Sequence, residues 1–278
     1  GGFTADKKVY DGNLTAAILT RTLTGVLVAD AADVSVNGGT ATFNNENVGT
    51  GKAVNASGLV LAGAKAANYN ISTVNATTAN ITTKNITGNF TADNKVYDGN
   101  TTATVLTRTL TGVLTADVAD VNLTGGTAAF ANANVGAGKT VTAAGMSITG
   151  AKASNYSLTG VATTTADITG LTITGNITAS NKVYDGNTMA VISGRTLTGV
   201  LTPDVADVTL TGGTATFADA NKGAGKTVTA TGLVLSGTKA GNYTLTSIAN
   251  TTADITAKDI VGVFTADNKA YDGNTTAS

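Results

Sequence analysis

Apolar and polar residues alternate along most of this chain. In "KNITGNFTA" (84–92) Ile86 and Phe90 share one face with polar residues between them, the period-two pattern of a half-buried strand. "TTATVLT" (101–107) continues as the next strand after the turn signal Asp98-Gly99. "DVNLTGGTAAF" (120–130) reads as strand, Gly125-Gly126 turn, strand, which predicts a hairpin. "ANANVGAGK" (131–139) reads as a glycine-bearing loop. "TVTAAGMSITG" (140–150) alternates again, with Val141, Met146 and Ile148 as core candidates. "AKASN" turns the chain, and "YSLTGVATTTADIT" (156–169) supplies one or two final strands. The stretch "RTLTGVLTADVAD" (108–120) predicts an irregular crossover or one short helical turn around Thr115–Ala119.

The whole pattern repeats. Tyr10, Tyr97, Tyr184 and Tyr271 stand 87 residues apart, each in "YDGN". Arg21, Arg108 and Arg195 keep the same step, as do Phe43, Phe130 and Phe217, and Tyr69, Tyr156 and Tyr243. A unit of this length is too long for a solenoid repeat and long enough for a small domain with its own core. The expected boundaries are 1–82 for a first repeat with a truncated opening strand, 83–169, 170–256, and 257–278 for the opening strands of an incomplete fourth repeat. The expected fold class is all-β: a rod-shaped tandem array of small β-sandwich or β-grasp-like domains, each independently folded. Junctions such as "TTADITGLTITGNIT" run from strand to strand without a flexible linker, which predicts stiffness. The mismatched ends predict a window from a longer array.

Composition narrows the function. Charged residues make up 13% with net charge −1, so there is no clustered basic surface for nucleic acid. No apolar run reaches bilayer length. The chain has no cysteine and no histidine, so disulfides and the commonest general base are missing. Glu46 is its one glutamate and Pro203 its one proline; Thr, Val, Gly and Asn dominate, as strands and turns require.

Candidate chemistry is thin. "GAGKT" at 136–140 and 223–227 resembles part of a phosphate-binding loop, but the position of its first glycine holds Ala133 and Ala220, so it reads as a glycine turn between strands. Asp93 with Asp98, or Asp117 with Asp120, offers oxygens for calcium, which takes six to eight; aspartate at turns and caps is the plainer reading, and no cofactor is expected. Tyr97 reads as an anchor whose hydroxyl ties down nearby backbone of its own domain. Arg108 reads as half of an ion pair with an aspartate, or as a contact between domains. Lys95, Lys139 and Lys152 are candidates for Lys–Asn isopeptide bonds, which need a buried acid beside the pair. Asn-X-Ser/Thr triplets abound in a sequence so rich in Asn and Thr. No catalytic, cofactor or metal residue is assigned, and no enzyme is expected.

Together, "NKVYDGNTTATV", "ANVGAGKTVT" and "NYSL…TTTADIT" resemble the YDG domain of large bacterial surface proteins, over essentially the whole chain. That resemblance implies tandem domains of giant secreted adhesins of the filamentous-haemagglutinin type, exported by two-partner secretion and located outside the cell. Many members carry proline after the "ADIT" ending; here Thr83, Gly170 and Ala257 stand there. The implied role is a stalk or fibre body. Its expected partners are neighbouring repeats and identical chains in a fibre or bundle, with no nucleic acid and no membrane span. Two alternatives are a filament subunit joined end to end by strand exchange, and an adhesive module for glycans or host proteins, whose binding loops would be the variable 44–47, 131–134 and 218–221.

Overall fold

The alternating segments form strands, and in each repeat their apolar faces meet between two sheets. The computed structural model describes residues 1–276. In the third repeat, Ile192–Thr198, Leu171–Ala179 and Tyr243–Ala249 form a three-stranded sheet. Lys182–Val183, Thr251–Thr256, Gly223–Ser236, Thr209–Phe217 and Met189–Ala190 form a five-stranded sheet in that order. Ile177 from the small sheet packs with Leu210, Phe217, Val228 and Ile255 from the large one. This is the sandwich of the two expected architectures; the short 3-10 turns are all that is helical among the described residues. Val54, Val141 and Val228 lie at the same place in each repeat and are wholly buried, each contributing about 1.5–3 kcal/mol from its side chain.

The second repeat has the same two sheets, built around Lys84–Ala92 and Gly136–Thr149. Ile86 and Phe90 are buried on one face as the alternation requires, while Met146 and Ile148 are half-buried. In the first repeat the small sheet has two strands, Gly2–Ala5 and Ile18–Thr22. The short helical turn is formed at Thr115–Asp120. The final segment makes two strands, Tyr156–Val161 and Thr164–Thr169, which go to different sheets.

Three expectations are corrected. Gly125-Gly126 is no hairpin turn: Asn122–Phe130 is one strand paired throughout with Gly136–Thr149, and the chain reverses between them at 131–135. Both glycines have positive φ, and a Cβ on Gly126 would lie 2.8 Å from the Ala144 carbonyl oxygen, so the pair permits a close backbone approach inside the sheet. "GAGK" lies within the long strand, where the pairing shifts between Gly136 and Lys139; it is a bulge, not a turn between strands. Finally, residues 258–266, aligned with the opening strand of a repeat, form no strand. No strand among the described residues pairs with this segment, and a strand without partners does not hold. Residues 277–278 of that expected fourth repeat lie outside the described residues.

The chain divides into two compact units. One comprises Gly1–Lys95 and Asn100–Ile168; the other comprises Val96–Gly99 and the chain from Thr169 onward. In the first unit, Phe3, Tyr10, Phe43, Val54 and Ile81 of the first repeat share one apolar cluster with Ile86, Val121 and Tyr156 of the second. Within this unit the expected independent beads are therefore tandem domains whose cores run together.

Candidate functional site

The "YDG" turn is a local construction. Lys8 Nζ donates to Asp11 Oδ1 at 2.7 Å, to the Asn13 carbonyl at 2.6 Å and to Asn13 Oδ1 at 3.1 Å. The Asn13 N–H donates back to Asp11 Oδ1, and the Thr15 N–H to Asn13 Oδ1. Burial works to raise the Asp11 carboxyl, but Lys8 and the Asn13 N–H outweigh it and hold it below the usual range. The Lys8 ammonium also lies over the Phe43 ring, as Lys95 does over Phe130 and Lys182 over Phe217. This turn fixes the direction of the tyrosine before it.

Tyr10 keeps its backbone in its own repeat, where its N–H donates to the Thr82 carbonyl at 2.9 Å. Its side chain leaves. The ring is 1% exposed, and the hydroxyl donates to Asp117 Oδ2 of the second repeat at 2.8 Å. Tyr156 Oη donates to the same oxygen at 2.6 Å and accepts the Leu114 N–H. The two rings meet edge to face with centroids 5.4 Å apart, a favourable geometry for their quadrupoles. Gly12 completes the fit: a Cβ there would lie 3.2 Å from Leu114 Cδ1. So each letter of the motif has a role: Tyr enters the next repeat, Asp closes the turn, and Gly allows the close approach.

Around this core lie polar contacts. The buried Asn155 accepts the Val48 N–H at 2.9 Å and donates to Asn47 Oδ1 at 3.1 Å. Lys152 Nζ pairs with Glu46 at 2.8 Å. The ammonium holds the Glu46 carboxyl below the usual range, and the carboxylate raises Lys152 in turn.

The second unit repeats the core of this arrangement. Tyr97, 2% exposed, donates to Asp204 Oδ2 at 2.7 Å; Tyr243 donates to the same oxygen at 2.6 Å and accepts the Leu201 N–H. Burial and the carboxylate push Tyr10, Tyr97 and Tyr156 up to about 12. Burial works to raise the Asp204 carboxyl, but the two hydroxyls hold it below the usual range.

Other candidate residues fall elsewhere. Asp117, weighed for calcium with Asp120, is the buried acceptor for two tyrosines, while the Asp120 carbonyl accepts the Lys152 N–H. The Asp93 N–H donates to the Thr104 carbonyl. Among the described residues no three acidic side chains gather. Arg108 makes the Gly125 carbonyl its partner at 3.3 Å, not an aspartate, and Arg21 and Arg195 do the same at Gly38 and Gly212. Lys95 reaches Asn100 within its turn, and Lys139 reaches Asn132 at 2.6 Å. Tyr97 is not an anchor within its own domain. Sequence reading missed the Tyr–Asp–Tyr cluster, although its signal was present: two tyrosines and one aspartate recur in lockstep as Tyr10, Tyr97 and Tyr184, as Tyr69, Tyr156 and Tyr243, and as Asp30, Asp117 and Asp204.

The YDG domain matches the chain three times, over residues 1–79, 82–166 and 168–253. No match is found among curated proteins.

Proposed function

The chain belongs to the YDG domain family, in three tandem copies, and from that premise we propose that it is a structural repeat region, the stalk or fibre body of an extracellular bacterial adhesin or surface filament. The observation that carries this reading is where the polar chemistry goes. The buried carboxylate and hydroxyls of the motif hold one repeat to the next.

The mechanism is mechanical. A tyrosine fixed by its backbone to the last strand of one repeat and by its side chain to the next resists pivoting at the joint. A single residue, Thr83, separates the strands Thr77–Thr82 and Lys84–Ala92. The reading assigns no catalysis. The adhesive-module alternative loses support at 44–47, because Glu46 and Asn47 are bonded to the second repeat. Among the described residues no helix is long and apolar enough to cross a membrane.

Antibodies against residues 1–278, applied to intact and to broken producing cells, test the location. An in-frame deletion of one 87-residue repeat from the full-length protein tests the role. Surface label on intact cells, with adhesion retained at shortened reach, is the expected result. Label confined to broken cells overturns the proposal.

A further inference from the structure

We propose that the second and third repeats each carry a binding groove for an aliphatic carboxylate, an acyl chain whose head group is held by the arginine at the groove's exposed rim. This stands independently of the surface-stalk reading.

The chain has three arginines, and Arg21, Arg108 and Arg195 fall at the same place in each repeat. In the second repeat Arg108 stands on Val105–Thr111, an edge strand of the small sheet. Beside it runs Asn122–Phe130 of the large sheet, which meets Thr102–Ala103 only at Ala128 and Ala129, so its first half is an open edge. Between the two lies a groove of about 370 Å³, walled by Leu110, Val113, Val121 and Leu123. Val118, from the helical turn, also lines it and is 59% exposed. In the third repeat Leu197, Val200, Val208 and Leu210 wall the same groove beside Arg195, at about 570 Å³, and Val205 is again 59% exposed. Both volumes fall in the range of small-molecule sites, roughly 300–1,000 Å³. In each groove the arginine is the only charged side chain of the lining among the described residues. The first repeat has the poorer version, because Ala31 and Val36 replace Val118 and Leu123.

Each guanidinium is aimed but not spent. Arg108 Nε donates to the Gly125 carbonyl at 3.3 Å, and Arg195 donates to the Gly212 carbonyl through Nε at 3.3 Å and Nη2 at 2.9 Å. Neither has an ion pair with a carboxylate among the described residues. A guanidinium carries five N–H donors in one plane, so donors remain for an incoming carboxylate. An aliphatic wall with one fixed cation at its rim is complementary to an anion with an aliphatic chain. A peptide strand added to the open edge fits less well, since it would need the Gly125 and Gly212 carbonyls that the arginines already hold.

Titration of the isotope-labelled 278-residue chain with sodium decanoate, followed by amide shifts in nuclear magnetic resonance, tests this. Saturable shifts are expected at the Leu123 and Leu210 amides. Decanol has the same chain without the charge and should bind about tenfold more weakly. Arg195→Gln should weaken binding at Leu210 by about tenfold and leave Leu123 unchanged, so the second repeat reports in the same sample that the chain is folded. Val205→Asp, at an exposed position, sets a carboxylate against the ligand and should abolish the shifts at Leu210 alone. A wild type without saturable shifts at either leucine overturns the proposal. So does decanol binding as tightly as decanoate, and so do Arg195→Gln and Val205→Asp variants that both bind like the wild type.

Discussion

The Tyr10 hydroxyl and the Asp117 carboxylate, 107 residues apart in sequence, meet at 2.8 Å in a buried site. Tyr10→Phe keeps the ring and removes this bond to a charged acceptor. The expected loss is about 1.5–3 kcal/mol. Tyr10→Ala also empties the space filled by the ring, for an expected loss of about 3–5 kcal/mol. Urea unfolding of the two variants checks the order. A Tyr10→Phe variant as stable as the wild type would show that the hydroxyl contributes nothing, and equal losses in the two variants would show that the ring adds nothing beyond it.

The joint should fail in alkali. An unfolded tyrosine ionises near pH 10, whereas burial first, and the bond to the carboxylate second, push Tyr10, Tyr97 and Tyr156 up to about 12. A folded value raised in this way gives stability that is complete below about pH 10, declines between about 10 and 12, and is gone above. For Asp204 the sign is reversed. Its folded value is depressed, so its contribution is complete above the ordinary carboxyl range near pH 4 and fades as pH falls through the folded value. Unfolding midpoints against pH, with tyrosinate absorbance followed alongside, should give a plateau with both shoulders. A flat curve through pH 12 would remove the tyrosines from the account.

What was legible in the sequence was local. Alternation located Lys84–Ala92 and Ile86 because a half-buried strand has period two. The "YDGN" turn was legible because Lys8, Asp11 and Asn13 satisfy one another within six residues. Gly125-Gly126 was misread because a turn and a close cross-strand approach both require glycine at positive φ, and composition cannot separate them. The joint was hidden for a different reason. Tyr10 and Asp117 sit in different repeats, and a perfect period hides whether a residue contacts its own repeat or the next.

Glu46–Lys152 should be a minor term. Both side chains are about one-third exposed, and a pair in that position is screened by salt. Glu46→Gln is expected to lower the unfolding midpoint slightly at low ionic strength and not at all in molar salt. A loss that persists in molar salt would mean that packing, not charge, is what Glu46 supplies.

The "YDG" turn should form without the sheets. At residues 269–276, where no strand is present, Lys269 still bonds Asp272 Oδ1 at 2.8 Å and the Asn274 carbonyl at 2.9 Å, and the Asn274 and Thr276 N–H groups keep their side-chain acceptors. A peptide of residues 268–276 is expected to show amide protons of Asn274 and Thr276 shielded from solvent in nuclear magnetic resonance temperature series. Lys269→Ala should abolish the shielding. Amides equally exposed in both peptides would make the turn a product of the folded domain.

Gly126 and Gly138 separate two costs that a glycine can carry. Both have positive φ. A Cβ on Gly138 meets nothing within 4 Å, so Gly138→Ala should lose only the left-handed backbone term, about 1–2 kcal/mol. On Gly126 the Cβ would lie 2.4 Å from Met146 Cγ and 2.8 Å from the Ala144 carbonyl oxygen. The methionine can turn aside, but the carbonyl belongs to the paired strand and cannot move without breaking the ladder between Asn122–Phe130 and Gly136–Thr149. Gly126→Ala is therefore expected to cost clearly more than Gly138→Ala in the same urea titration. Amide exchange should rise along both of these strands in Gly126→Ala alone. Equal midpoints for the two variants would mean that the close approach carries no steric demand, and that Gly125-Gly126 is present for backbone freedom only.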